Sequence, residues 1–180
     1  MLTSLRKSTT DFGKIYFWTA TVHNWLPLLT SIENKLIIIN SLQTLSLRKL
    51  IKVYAFVIMP NHIHLIWEQI SMNGKETPKG SFLKFTAHTL LKHIKQTNTT
   101  HQYYVNAANK QYEIWQRDAL GIELYSRYFA IQKLNYIHLN PVRGKWNLSE
   151  SYLDYDFSSA RFYEYGIDRF GFLYNLYEVI

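Results

Sequence analysis

Two short stretches hold side chains whose identities and intervals suit metal-assisted attack on a phosphodiester. In MPNHIHLIW, His62 and His64 lie two apart. Alternate side chains on a strand share a face, so both imidazoles point one way while Ile63 and Leu65 point into the opposite layer. Imidazole is a common metal ligand, and a same-face pair needs only one more side chain, with substrate or water oxygens, to complete a site. A half-exposed strand with two ordinary histidines would look the same, so the pair needs corroboration. In LNYIHLNPVRGKW, Tyr136 and Asn140 are four apart, on one helical face with about 6 Å of axial rise between them. A tyrosine hydroxyl, with an ordinary pKa near ~10, is a weak nucleophile that needs a nearby cation to attack a phosphodiester. Asn140 can offer that cation an amide oxygen. Asn before Pro is also a common helix exit, and Tyr136 is one of 14 tyrosines, most of them structural.

Other phosphate chemistries fit less well. Histidine-triad phosphohydrolases continue H-x-H-x-H, whereas the third position here is Ile66. Gly74-Lys75-Glu76-Thr77 resembles the tail of a P-loop, but Gln69 stands where its leading glycine belongs. The chain has no cysteine, which removes disulfides, zinc ribbons and thiol nucleophiles together. Any metal must use His, Asn, Gln or carboxylates.

The elements that must hold these side chains follow from periodicity. Residues 15–22, IYFWTATV, are aromatic and β-branched and predict a strand; 31–47, with Ile32, Leu36, Ile39 and Leu42, predicts a helix. The apolar run 51–59 predicts a strand covered on both faces and stopped by Pro60 and Asn61, with 62–67 as its hairpin partner. After a turn-rich stretch at 71–80, Phe85, Leu90, Leu91 and Ile94 space a helix over 82–94. A polar loop at 97–110, a short strand at 112–117 and a long helix at 125–139, ended by Pro141, complete the series. The order β-α-β-β-α-β is the split βαβ, or ferredoxin-like, arrangement: an α+β fold with one antiparallel sheet and added C-terminal helices. One domain is expected over 1–180, its core at about 12–146 and a mostly helical extension at 147–180, with SSARFYEYG at 158–166 its clearest piece.

Composition adds a partner. The 180 residues are 47% hydrophobic with a formal charge of +7 and a pI near 9.5; basic charge beside flat aromatic faces suits phosphate backbones and stacked bases. The opening MLTSLRKSTTDFGK has no apolar stretch of leader length, and LIIIN at 36–40 falls far short of a bilayer span. A soluble cytoplasmic protein is expected. Lys84, Lys92 and Lys95 recur along the second helix, and Arg117, Arg127, Lys133, Arg143 and Lys145 surround the tyrosine motif. These side chains could track phosphates, although a solvated charged face has the same spacing. Trp115 and Gln116 are expected to pack and orient rather than to catalyse.

Taken together, MPNHIHLIW, IWQRDALGIELYSRYFAIQKLNYIHLNPVR and DYDFSSARFYEYGIDRFGF resemble the single-tyrosine HUH transposases, in particular the REP-associated branch. The likeness covers most of the chain. The family's histidine–hydrophobic–histidine motif falls on His62, Ile63 and His64, its nucleophile on Tyr136, and its third metal ligand, four residues later, on Asn140; RGKW at 143–146 stands where a more apolar turn is usual. The resemblance implies a metal on the sheet, Mg²⁺ or Mn²⁺, with the nucleophile helix packed across it. It further implies cleavage and rejoining of single-stranded DNA, often beside a hairpin, through a 5′-phosphotyrosine and a free 3′-hydroxyl. Two neutral imidazoles and an amide put no negative charge on the cation, so DNA phosphate oxygens should complete its shell. Relatives of this kind include dimers and monomers, and a homodimer stays open. Two rivals share the fold: a non-mobile hairpin-DNA-binding regulator, and an HUH nuclease or replication initiator. An RNA-recognition domain would need a basic, glycine-containing aromatic strand signature that this sequence lacks.

Overall fold

The computed structural model describes residues 10–97, 99–108, 110–117 and 119–180. Most of the N-terminal stretch read above for a leader lies outside them, as do two positions of the polar loop at 97–110. The strands are β1 (Ile15–Thr21), β2 (Ile51–Met59), β3 (His62–Gln69), β4 (Tyr104–Ala107), β5 (Lys110–Tyr112) and β6 (Gly121–Glu123). The helices are α1 (Ile32–Leu47), α2 (Pro78–Gln96), α3 (Arg127–Leu139) and α4 (Ala160–Tyr165). β2, β3, β1 and β6 form one antiparallel sheet in that order. With α1 between β1 and β2, and α2 between β3 and β6, this is the split βαβ arrangement expected from the sequence.

Local chemistry sets the helix starts. Ser31 accepts a hydrogen bond from the Asn34 backbone N–H, and Ser126 from that of Phe129, each satisfying an otherwise orphaned donor. Thr77 does the same for Gly80, with Pro78 in the first turn. α2 therefore begins four residues before the apolar spacing suggests, because its cap lies in the polar stretch and the first turn buries little.

Side-chain alternation divides the sheet into two faces. Trp18 packs against Trp67 and edge-on to Phe82 of α2, with ring centroids 5.0 and 5.9 Å away. The other face, bearing Phe17 and His64, meets Tyr136 of α3 at 5.8 and 5.2 Å. One apolar cluster runs from Tyr16 through the sheet to Leu176.

Two expectations are corrected. The fourth strand is not at 112–117 but at Gly121–Glu123, which pairs with Tyr16–Trp18. Lys110–Tyr112 instead joins Tyr104–Ala107 in a separate two-stranded ribbon. Trp115 and Gln116 do run beside the end of β1, through a Val22–Trp115 bridge and a Gln116 N–H to Thr21 carbonyl bond of 2.8 Å. The chain leaves the edge after Gln116 and returns at Leu120, whose carbonyl accepts from Thr19. A three-residue edge strand opening on glycine is too short to leave an alternating pattern.

The mostly helical tail is the second correction. Beyond 147 there are only α4, of six residues, and a 3₁₀ turn at Leu176–Glu178. Much of the rest runs along the outer edge of β2, where Ile58 N–H donates to Phe157, Ser159 N–H to Phe56 and Tyr174 N–H to Val53. An uncovered apolar strand such as β2 would expose a row of unpaired backbone groups, and the tail takes them up. Among the described residues no helix is long and apolar enough to cross a membrane.

Candidate active site

The β2–β3 hairpin turn at Pro60–Asn61 delivers His62 and His64 to one face, where they lie opposite Thr21 and Thr19 of β1. Their rings are 4.7 Å apart. Each ring is fixed through its Nδ1. His64 Nδ1 is 2.7 Å from Thr19 Oγ1, and His62 Nδ1 is 2.7 Å from Asn61 Oδ1. The Asn61 amide nitrogen donates to the Trp25 carbonyl at 3.2 Å, which turns its oxygen toward His62. His62 Nδ1 must then carry the proton and donate it, leaving the lone pair on Nε2. Burial pushes the His62 imidazole down to about 4, opposed by a hydrogen bond with Asn140. Burial first, then the neighbouring His62 and Lys133 charges, hold His64 well below the ordinary histidine value. Both rings are therefore neutral near pH 7, the state in which imidazole can ligate.

Tyr136 comes from the other layer. It sits in the last turns of α3, 44% exposed, with its ring edge-on to His64 at 5.2 Å and to Phe17 at 5.8 Å. Asn140 keeps helical backbone angles (φ −58, ψ −43) at the end of α3, so the interval of four keeps it on the Tyr136 side, against His62. Sheet and helix thus bring His62, His64, Tyr136 and Asn140 together. A cavity of about 480 Å³ opens there, walled by His64, Tyr136, Lys133, Thr19, Trp25 and Gln116. A second hollow of about 530 Å³, reaching Arg143, flanks Tyr136 on its far side.

Among the described residues no three His, Cys, Asp or Glu side chains cluster as a metal site. The donor set on offer is two imidazoles and one amide. It fits a divalent cation in one specific respect: both Nδ1 atoms are engaged, one by a hydroxyl and one by an amide, the kind of outer partner that orients ligating histidines.

The basic residues divide between the two faces. Lys133 has its ammonium 4.9 Å from the Phe17 ring and 5.7 Å from that of Tyr136, and Arg143 lines the neighbouring hollow. Lys84, Lys92 and Lys95 lie on α2, across the sheet. Lys84 pairs with Glu76 at 2.6 Å, Lys92 lines a groove with Glu33 and His93, and Lys95 lies over Tyr112. Arg127 donates to the Ile180 carbonyl, Lys145 covers Trp146, and Arg117 is exposed where the chain leaves the β1 edge. Trp115 packs as expected, its indole N–H donating to Thr86, whereas Gln116 lines the cavity. Sequence reasoning missed Thr19, Thr21, Asn61 and Trp25. Alternation on β1 would have offered the two threonines once the pairing register was known, and nothing local singles out Trp25.

No protein-family model matches the chain, and no curated protein does. Among solved structures, a REP-associated tyrosine transposase bound to a REP hairpin is similar, with a TM-score of 0.59 over 94% of this chain and 90% of that one. At 18% sequence identity the likeness is one of fold.

Proposed function

We propose that the chain is a metal-dependent DNA strand transferase, a single-tyrosine HUH transposase, that cuts and rejoins single-stranded DNA beside a hairpin with Tyr136 as nucleophile. The observation that carries this reading is the meeting of Tyr136 with His64 at one cavity, with the His62 ring 4.7 Å from that of His64. The similar fold of a hairpin-bound tyrosine transposase supports it. His62, His64 and Asn140 would hold the cation, Mg²⁺ or Mn²⁺. When bound, it supplies Lewis acidity to the scissile phosphate. The chain's own residues do the rest. Thr19 and Asn61 keep each Nε2 aimed inward, and Lys133 adds positive charge beside the attacking ring. Tyr136 Oη forms a bond to phosphorus as the bond to the 3′ oxygen breaks. The products are a 5′-phosphotyrosine and a 3′-hydroxyl, which takes the phenolic proton. Phosphodiester energy stays in that linkage, so rejoining needs no nucleotide triphosphate.

The test is covalent attachment. Purified protein with Mg²⁺ or Mn²⁺ should form a denaturant-resistant adduct with single-stranded DNA taken from the sequence flanking its own gene. Tyr136→Phe should form none; as much adduct from that variant as from the parent contradicts the reading. Hairpin binding with no adduct from either would favour a regulator built on the same fold.

A further inference from the structure

We infer that Trp25 receives an unpaired DNA base adjoining the scissile phosphate, stacking it at the mouth of the His64–Tyr136 cavity. The inference rests on the strand-transfer reading above and deepens it with a base-binding subsite. Trp25 is 57% exposed, whereas Trp18, Trp67 and Trp115 are 0%, 1% and 7% exposed. A single exposed apolar side chain is ordinary on a protein surface, but this one also lines the cavity that holds His64 and Tyr136. Its indole meets His62 only edge-on, at 6.1 Å, so no aromatic ring among the described residues stacks on its faces.

The backbone holds it out. Asn24 and Trp25 have φ of 50 and 57, the left-handed region that a bulky residue avoids and that persists only where surrounding bonds impose it. Those bonds are present. Trp25 N–H donates to the Val22 carbonyl at 2.9 Å, Leu26 N–H to His23 at 3.1 Å, and the Asn61 amide to the Trp25 carbonyl at 3.2 Å. Asn61 is the same side chain that fixes His62. One amide therefore sets both a candidate metal ligand and the exposed indole, which keeps their spacing fixed.

Size and chemistry agree. A cavity of about 480 Å³ exceeds what one phosphate fills and lies in the usual range for organic ligands. Its wall also offers Gln116, whose side-chain amide makes no hydrogen bond among the described residues and so can meet the polar edge of a base. Stacking on an aromatic side chain tolerates any base, because every base has a π face.

The experiment uses full-length protein carrying Tyr136→Phe, so that cleavage does not intervene, with Mg²⁺ present. The probes are fluorescein-labelled dT8 and an octamer of abasic sites with the same backbone charge, read by anisotropy. dT8 should bind more tightly than the abasic strand. Trp25→Asn, chosen because Asn tolerates left-handed angles, should weaken dT8 binding about 5- to 150-fold and leave abasic binding unchanged. Trp25→Phe should keep most of the dT8 affinity, and the fluorescence quenching that dT8 causes should fade in both variants. An unchanged ratio of dT8 to abasic affinity in Trp25→Asn, with a parent-like melting curve, overturns the inference, as does a parent that binds neither strand. Base-dependent binding by a parent site that forms no covalent adduct would sink the strand-transfer reading and leave Trp25 standing. An adduct without base dependence would do the reverse.

Discussion

At the scale of single residues, the candidate site depends on the groups that orient its two imidazoles. Thr19 Oγ1 lies 2.7 Å from His64 Nδ1, and an imidazole that loses its outer partner loses its aim. Thr19→Val keeps the β-branched shape that a strand favours, so the fold should survive. Affinity for Mn²⁺, titrated by calorimetry in the presence of a single strand, should fall about 10- to 100-fold; affinity equal to the parent's would mean that Thr19 does not orient His64. Burial pushes His62, and likewise the buried His138, down to about 4. In the unfolded chain both return to about 6.5. Between those values the unfolded state binds more protons, so stability is full above about pH 6.5 and is lost as pH falls toward about 4. Denaturant melts across that range should show a declining midpoint, and a flat profile would contradict the buried, neutral assignment.

At the scale of elements, α3 faces two ways. Tyr136 looks into the cavity, while His138, two residues on, looks into the core and has its Nε2 3.0 Å from Ser159 Oγ. Ser159 Oγ also accepts from the Phe56 N–H at 3.0 Å, so one hydroxyl ties α3, the tail and β2 together. Ser159→Ala strands buried polar groups on two of them and should cost about 1–3 kcal/mol in a urea melt; no measurable loss would mean the tail docks without that tie. The elements that frame the site were legible because their signals are strong. His62 and His64 sit on a hairpin announced by Pro60 and Asn61, and the four-residue interval from Tyr136 to Asn140 survives as helical backbone. β6 was not legible: three residues whose pairing is decided by the β1 edge they meet leave no period. The tail misled for a related reason, since the helical spacing of SSARFYEYG continues for only six residues before the chain turns back to cover β2. Trp25 escaped notice because its exposure follows from backbone angles imposed by Asn61, thirty-six positions later in the chain.

At the scale of the whole molecule, the net charge of +7 predicts attraction to any polyanion but not where it binds. The fold divides the basic residues, with Lys133 and Arg143 beside Tyr136 and the α2 lysines across the sheet. If the strand runs over the Tyr136 face, Arg143→Ala should reduce the magnitude of the log affinity versus log salt slope by about 0.7, the release expected for one single-strand phosphate. Lys84→Ala and Lys92→Ala should leave it unchanged; a loss of slope from the α2 variants instead would move the DNA path to the other face. The most direct test of the central claim, that one tyrosine of 14 meets the phosphate held at His62 and His64, is peptide mapping by mass spectrometry. Protein incubated with Mn²⁺ and a single strand from its own flanking DNA is digested with nuclease and protease. The predicted result is a nucleotide mass on Tyr136, absent from His64→Ala. A nucleotide on a different tyrosine, or adduct on Tyr136 undiminished in His64→Ala, would contradict it.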